Sequence, residues 1–154
     1  MSAIRTFKKD DAEGVKSLIL SILSKEYPFD RSAYSDSDLD KINDTYGGKR
    51  DSFFVIEEAG EIVGTAGVKE ESHTEALLRR LFVGLKHRKK GYGTSLIDQA
   101  INFCRDKGYK KIYFRCTDRM ADAMHLCIKK GFKETETLKI GGFQIHKLEL
   151  SIAV

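Results

Sequence analysis

The spacing of apolar positions changes several times along the chain, and each change marks an element. The opening AIRTF reads as a first strand. Val15, Leu18, Ile19, Ile22 and Leu23 then recur at helical spacing, with Asp10 or Asp11 placed to cap the helix and Tyr27-Pro28 to end it. After an irregular YPFDRSAY, the stretch SDSDLDKINDTYGG resembles a second helix, starting at Ser35 or Ser37 and stopping at Gly47-Gly48. SFFVIEE, AGEIVGTAGVKEE and EALLRRLFV read as three strands, turned around Ala59-Gly60 and Ser72-His73.

The second half changes character. Leu96, Ile97, Ala100, Ile101 and Cys104 share one face of a helix that Gly108 closes, and KKIYFRCT follows as a strand. This strand, glycine loop, helix, strand unit predicts a parallel pair with a right-handed crossover. MADAMHLCIKK is a further helix stopped by Gly131, and FKETETLKI, Gly141-Gly142 and FQIHKLEL form a closing hairpin. The predicted class is α+β: a mixed, mostly antiparallel central sheet with one parallel strand-helix-strand crossover, flanked by helices.

A length of 154 residues fits one domain spanning 1–154, with a core large enough to need no staples. Cys104, Cys116 and Cys127 are odd in number, lack paired metal-ligand spacing and follow no secretory leader, so a reducing, cytoplasmic setting without metal is expected. Apolar runs such as LILSIL are too short to span a bilayer, and no membrane partner is expected. The spaced aspartates before residue 45 do not make a calcium loop, because Lys41 and Gly47 stand where glycine and glutamate are needed.

Charge narrows the function. The chain has 27 Lys and Arg against 23 Asp and Glu, yet Arg79, Arg80, Lys86, Arg88, Lys89 and Lys90 fall in one stretch without an acid. Outside that stretch the chain is slightly acidic, which suits a small polyanion better than a nucleic-acid track. The same stretch runs into LFVGLKHRKKGYGTS, a strand, two glycines and a helix start, where backbone N–H groups and the helix N-terminus favour a pyrophosphate. A Walker loop is excluded because Gly93 is followed by Thr94 without an intervening lysine. The dinucleotide fingerprint is excluded because Leu96 stands where its third glycine belongs.

What remains is Arg88-Lys89-Lys90-Gly91-Tyr92-Gly93, five residues beyond Val83. With IRTFKKDD, EIVGTAGV and AMHLCIKKGF, it resembles the GNAT superfamily of acetyl-CoA-dependent N-acetyltransferases over nearly the whole chain. The resemblance implies that backbone amides of Arg88, Lys89, Lys90, Gly91, Tyr92, Gly93 and Thr94 wrap the pyrophosphate of acetyl-CoA. It also implies that the main chain of Leu81, Phe82 and Val83 pairs with the pantetheine arm, and that the Phe82 or Val83 N–H polarises the acetyl carbonyl. An acceptor amine, either a small molecule or a lysine-type amine, would attack the thioester directly, which requires a base for the ammonium proton.

The chain departs from the family at three positions. Cys127 stands where a tyrosine often acts as acid, and packing against Met120, Ala123 and Met124 competes with that role. Met120 replaces a frequent asparagine beside the cofactor. Leu77 occupies the usual glutamate position, which leaves Glu75, on the same strand face, as the candidate base through water, with His73 as an alternative. Tyr92 reads as a spacer between glycines or a partner to the cofactor. Two rivals follow: an acetyl-CoA-binding sensor that has lost turnover, and a nucleic-acid binder using the basic run. YPFDRSAY and residues 137 to 143 would frame the acceptor, where Asp30 and Asp36 lean toward a cationic amine; a homodimer is left open.

Overall fold

The computed structural model describes residues 3–26, 37–117, 120–140 and 142–152. Strands β1 (Ala3–Thr6), β2 (Ser52–Glu58), β3 (Glu61–Glu70), β4 (Glu75–Val83), β5 (Lys111–Thr117), β6 (Lys133–Ile140) and β7 (Phe143–Ser151) form one sheet. Its order is β1-β2-β3-β4-β5-β7-β6. Each neighbouring pair is antiparallel except β4 with β5, the parallel pair that the helical crossover requires.

Helix α1 (Ala12–Glu26) buries Val15, Ile19, Ile22 and Leu23. Asp11 is not a helix cap but belongs to the 3-10 turn before α1. Its carboxylate accepts the Lys8 N–H at 2.7 Å and two N–H groups of Arg5, which hold it below the usual carboxylate range. Tyr27, Pro28, Ser35, Asp30 and Asp36 lie outside the described residues. Helix α3 (Tyr92–Asp106) buries the apolar set Leu96, Ile97, Ala100, Ile101 and Cys104 against β2, β3 and β4. Helix α4 (Ala121–Lys129) buries Cys127.

One expected helix is absent as such. Residues 37–48 fold as a 3-10 turn (Ser37–Asp40) and a single-turn α2 (Ile42–Thr45), separated by Lys41 at φ −138°, ψ 42°. Asp38, Leu39, Ile42 and Tyr46 are all buried across the two short turns.

The feature that creates the site is a bulge in β4. Thr65 pairs with Phe82 and Gly67 with Arg79, so Arg80 and Leu81 together oppose Ala66. Arg80 adopts φ 54°, a left-handed backbone that an arginine takes only at a cost of about 1 kcal/mol or more. A bulge bends its strand. Accordingly β4 and β5 pair only from Glu75 to Leu78 against Lys111 to Phe114, and the strands part beyond that point.

Candidate active site

Two cavities open along the parting strands. One, of about 200 Å³, lies between the separated ends of β4 and β5 and is lined by residues including Arg79, Arg115, Thr117 and Ile145. The other, of about 750 Å³, runs over the start of α3, past Arg88, Lys89, Gly91, Tyr92, Gly93 and Thr94, to Ala123 and Leu126 of α4. Both are lined by Leu81, Phe82 and Met120, so these residues mark where the cavities meet.

The β4 edge offers main-chain partners at this junction. Gly84 N–H donates to Val63 O of β3 at 2.9 Å, and backbone groups in a strand alternate in direction. Phe82 N–H therefore points toward β3, whereas Val83, beyond the bulge, points its N–H into the parting. Val83 O confirms the direction, because it accepts Arg88 Nε at 3.0 Å on the side away from β3. Arg88 thus ties the glycine loop to the strand end through its side chain.

Two glycines shape the loop. Gly91 has φ 82°, and a Cβ there would meet nothing within 4 Å, so the space above it is open to a ligand. Gly93 lets α4 approach closely: a Cβ there would stand 2.7 Å from Leu126 Cδ1, so that side chain would have to shift. The first closing helical bond is Ser95 N–H to Gly91 O at 3.0 Å, so Tyr92, Gly93 and Thr94 precede it and present their amides at the positive end of α3. Lys89, at φ 65°, is a second strained residue in the loop. These features fit a pyrophosphate.

The basic stretch does not act as one anion site. Arg80 is buried and bonded to Asp38, with Nε to Oδ2 at 3.0 Å and Nη2 to Oδ1 at 2.5 Å, while Tyr46 OH donates to Asp38 at 2.8 Å. Burial pushes the Asp38 carboxyl upward, but Arg80, Tyr46 and Arg79 together outweigh it and hold the group ionised below its usual range. Lys90 Nζ contacts Glu58 at 3.2 Å and does not line either cavity. Tyr92 OH donates to Glu58 at 2.5 Å, and His87 Nδ1 stands 3.3 Å from it, so Glu58 gathers three loop residues. Neither Glu58 nor Asp38 carried a sequence signal, since each meets partners more than 20 residues away through the sheet.

The two candidate catalytic side chains sit apart from the junction. Cys127 is fully buried, lines neither cavity, and has its thiol pushed up to about 12 by burial, as expected of a packing residue. Glu75 lies at the opposite end of β4, about 20 Å from Leu81 at ~3.3 Å per residue. There it accepts Tyr113 OH at 2.6 Å, which raises the Tyr113 phenol to about 12. Glu75 lines neither cavity, although Leu77, two residues further along β4, lines the smaller one. His73 is placed at that same end, 3.5 Å from Arg50.

The Acetyltransferase (GNAT) family sequence model matches residues 17–132. N-acetyltransferase 8 from Rattus norvegicus is 32% identical over 105 residues, covering 64% of this chain and 47% of its own length. The protein named "Probable N-acetyltransferase camello" of Xenopus tropicalis is 31% identical over 85 residues, 54% of this chain and 39% of its own. The chain thus spans about half or less of these curated relatives. Among solved structures, a GNAT acetyltransferase from Staphylococcus aureus Mu50 superposes with TM-score 0.84 at 23% identity, covering 98% of this chain and all of that one. A protein from Salmonella typhimurium described as "a putative acetyltransferase", solved with its cofactor acetyl-CoA, gives 0.77 at 19% identity over 97% and 93%. With the sheet order, the parted strands and the glycine loop, the match over residues 17–132 shows that the chain belongs to the GNAT acetyltransferase family.

Proposed function

We propose that the chain transfers the acetyl group of acetyl-CoA to a primary amine by direct attack in a ternary complex. The observation that carries this is the junction at Leu81, Phe82 and Met120, where an anion-binding loop and an amine-sized cavity meet at an unpaired strand edge. Acetyl-CoA supplies the activated acyl thioester. Amides of the loop residues Arg88 to Thr94 hold the pyrophosphate, and Lys89 adds charge beside it. The Leu81 and Val83 main chain pairs with the pantetheine arm, and Val83 N–H faces the carbonyl oxygen as negative charge develops there. Leu81, Phe82 and Met120 keep the reacting atoms in apolar surroundings. The ammonium first gives a proton to water in the open cavity; as the free amine forms the N–C bond the C–S bond breaks, coenzyme A leaves as its thiolate, and the second proton lost by the nitrogen neutralises that thiolate through water.

We further propose that residues 1–154 act as a single domain and that it works in a reducing, cytoplasmic compartment. The described cysteines are all free and buried, and no described helix is long and apolar enough to cross a membrane. A second reading, an acetyl-CoA-binding module without turnover, draws support from the placement of Cys127 and Glu75 away from the junction. One experiment separates the two: calorimetry with acetyl-CoA, followed by free-thiol release across a panel of amines. Binding with thiol release supports the transferase, binding with silence across the panel supports the module, and no binding refutes both.

A further inference from the structure

The smaller cavity has an apolar floor and a cationic rim. Arg79 on β4 and Arg115 on β5 both line it, and no carboxylate does among the described residues. Continuing the parallel register of Leu78 with Phe114 by one residue sets these two arginines opposite one another, where the strands begin to part. On its other side Arg115 pairs directly with Lys147 of β7. Like charges in directly opposed positions repel, and the Glu136 carboxylate that relieves this row lies at its far end, opposite Lys147.

The neighbouring acids do not neutralise this rim. Asp38 Oδ2 is 4.0 Å from Arg79, but that carboxylate already accepts two N–H groups from Arg80 and the Tyr46 hydroxyl. Glu75 and Glu149 are engaged by Tyr113 and Lys111. Lys147 has Glu136 opposite it on β6, and its ammonium lies 4.2 Å from the Tyr113 ring centre. Arg115 is exposed and has no ion-pair partner among the described residues. An arginine pair is suited to a carboxylate, which a planar guanidinium binds through two parallel hydrogen bonds.

We infer that the acceptor is an amine carrying its own carboxylate, an amino acid with an apolar side chain, whose carboxylate is held by Arg79 and Arg115 while its amine reaches the junction at Phe82 and Met120. This rests on the transferase reading above and departs from the cationic acceptor that Asp30 and Asp36 suggested. A polyamine or a lysine-rich peptide would meet like charge at the rim.

The test compares L-phenylalanine, L-phenylalaninamide, 2-phenylethylamine and spermidine as acceptors, with kcat/KM corrected for the fraction of free base. Acetyl-CoA affinity is measured in parallel by calorimetry. The carboxylate is expected to exceed its amide and its decarboxylated analogue by tenfold or more. Arg115→Gln and Arg79→Gln should each erase that preference by raising KM for the amino acid, with acetyl-CoA affinity unchanged. Equal or better turnover of the amide, the amine or spermidine overturns the inference, as does bound acetyl-CoA with no amino acid acetylated. If acetyl-CoA fails to bind, the transferase reading falls, and this inference with it.

Discussion

Replacing Asp38 with alanine removes the carboxylate that joins the segment after α1 to the β4 bulge. The Asp38 and Arg80 side chains are each 5% exposed, so the pair is buried, and Tyr46 OH depends on the same acceptor. Breaking one side of a buried ion pair costs about 3 to 5 kcal/mol, because the remaining charge is left in a poorly solvated place. That is a large part of the ~5 to 15 kcal/mol that stabilises a typical domain, and it corresponds to a fall in Tm on the order of 10 °C. Urea unfolding followed by fluorescence and circular dichroism measures it. The double variant Asp38→Ala/Arg80→Met, with both charges gone, should recover most of the loss. The pH dependence has a definite sign. The folded-state pKa of Asp38 is lowered, so its stabilisation is complete above the unfolded value near ~3.9 and is lost as pH falls through the depressed value. Urea midpoints between pH 6 and pH 3 should therefore fall more steeply for the native chain than for Asp38→Ala. A single-variant cost below about 1 kcal/mol, or a double variant no more stable than the single, would refute the reasoning.

Three further outcomes are expected. Gly93→Asp places a carboxylate beside the loop amides and a Cβ against Leu126, disrupting charge-assisted bonds worth about 1.5 to 3 kcal/mol each. Acetyl-CoA affinity should drop at least tenfold in a folded protein, and unchanged calorimetry would sink the site assignment. Cys127→Ala should lower stability by about 1 kcal/mol and leave kcat within about threefold; a loss of a hundredfold or more in a variant that still binds acetyl-CoA would make the thiol an acid after all. Glu75→Gln, at the far end of β4, should alter kcat/KM by less than about twofold at any pH between 6 and 9, whereas a base acting through water would lose on the order of a hundredfold.

The sequence alone determined the elements whose signals are local. The face of α3 from Leu96 to Cys104, the strands around Ala59-Gly60 and the parallel crossover each follow from side-chain period and glycine position over a dozen or so neighbouring residues. The glycine loop was legible for the same reason, since Gly91 and Gly93 act through their own backbones. Tertiary structure decided what depends on meetings between distant residues. Nothing around Arg80 foretold that it would turn to φ 54° and bury its charge on Asp38, 42 residues away, nor that Lys90 and Tyr92 would turn toward Glu58. Glu75 and Leu77 share a strand face, yet same-face alternation does not say where a cavity ends: Leu77 lines the smaller one, and Glu75, bonded to Tyr113, lines neither. Charge acts through space, so a run of six cations in sequence separates once folded. Arg79 lines the smaller cavity together with Arg115 of another strand, while Arg80, the next residue, is buried on the carboxylate of Asp38.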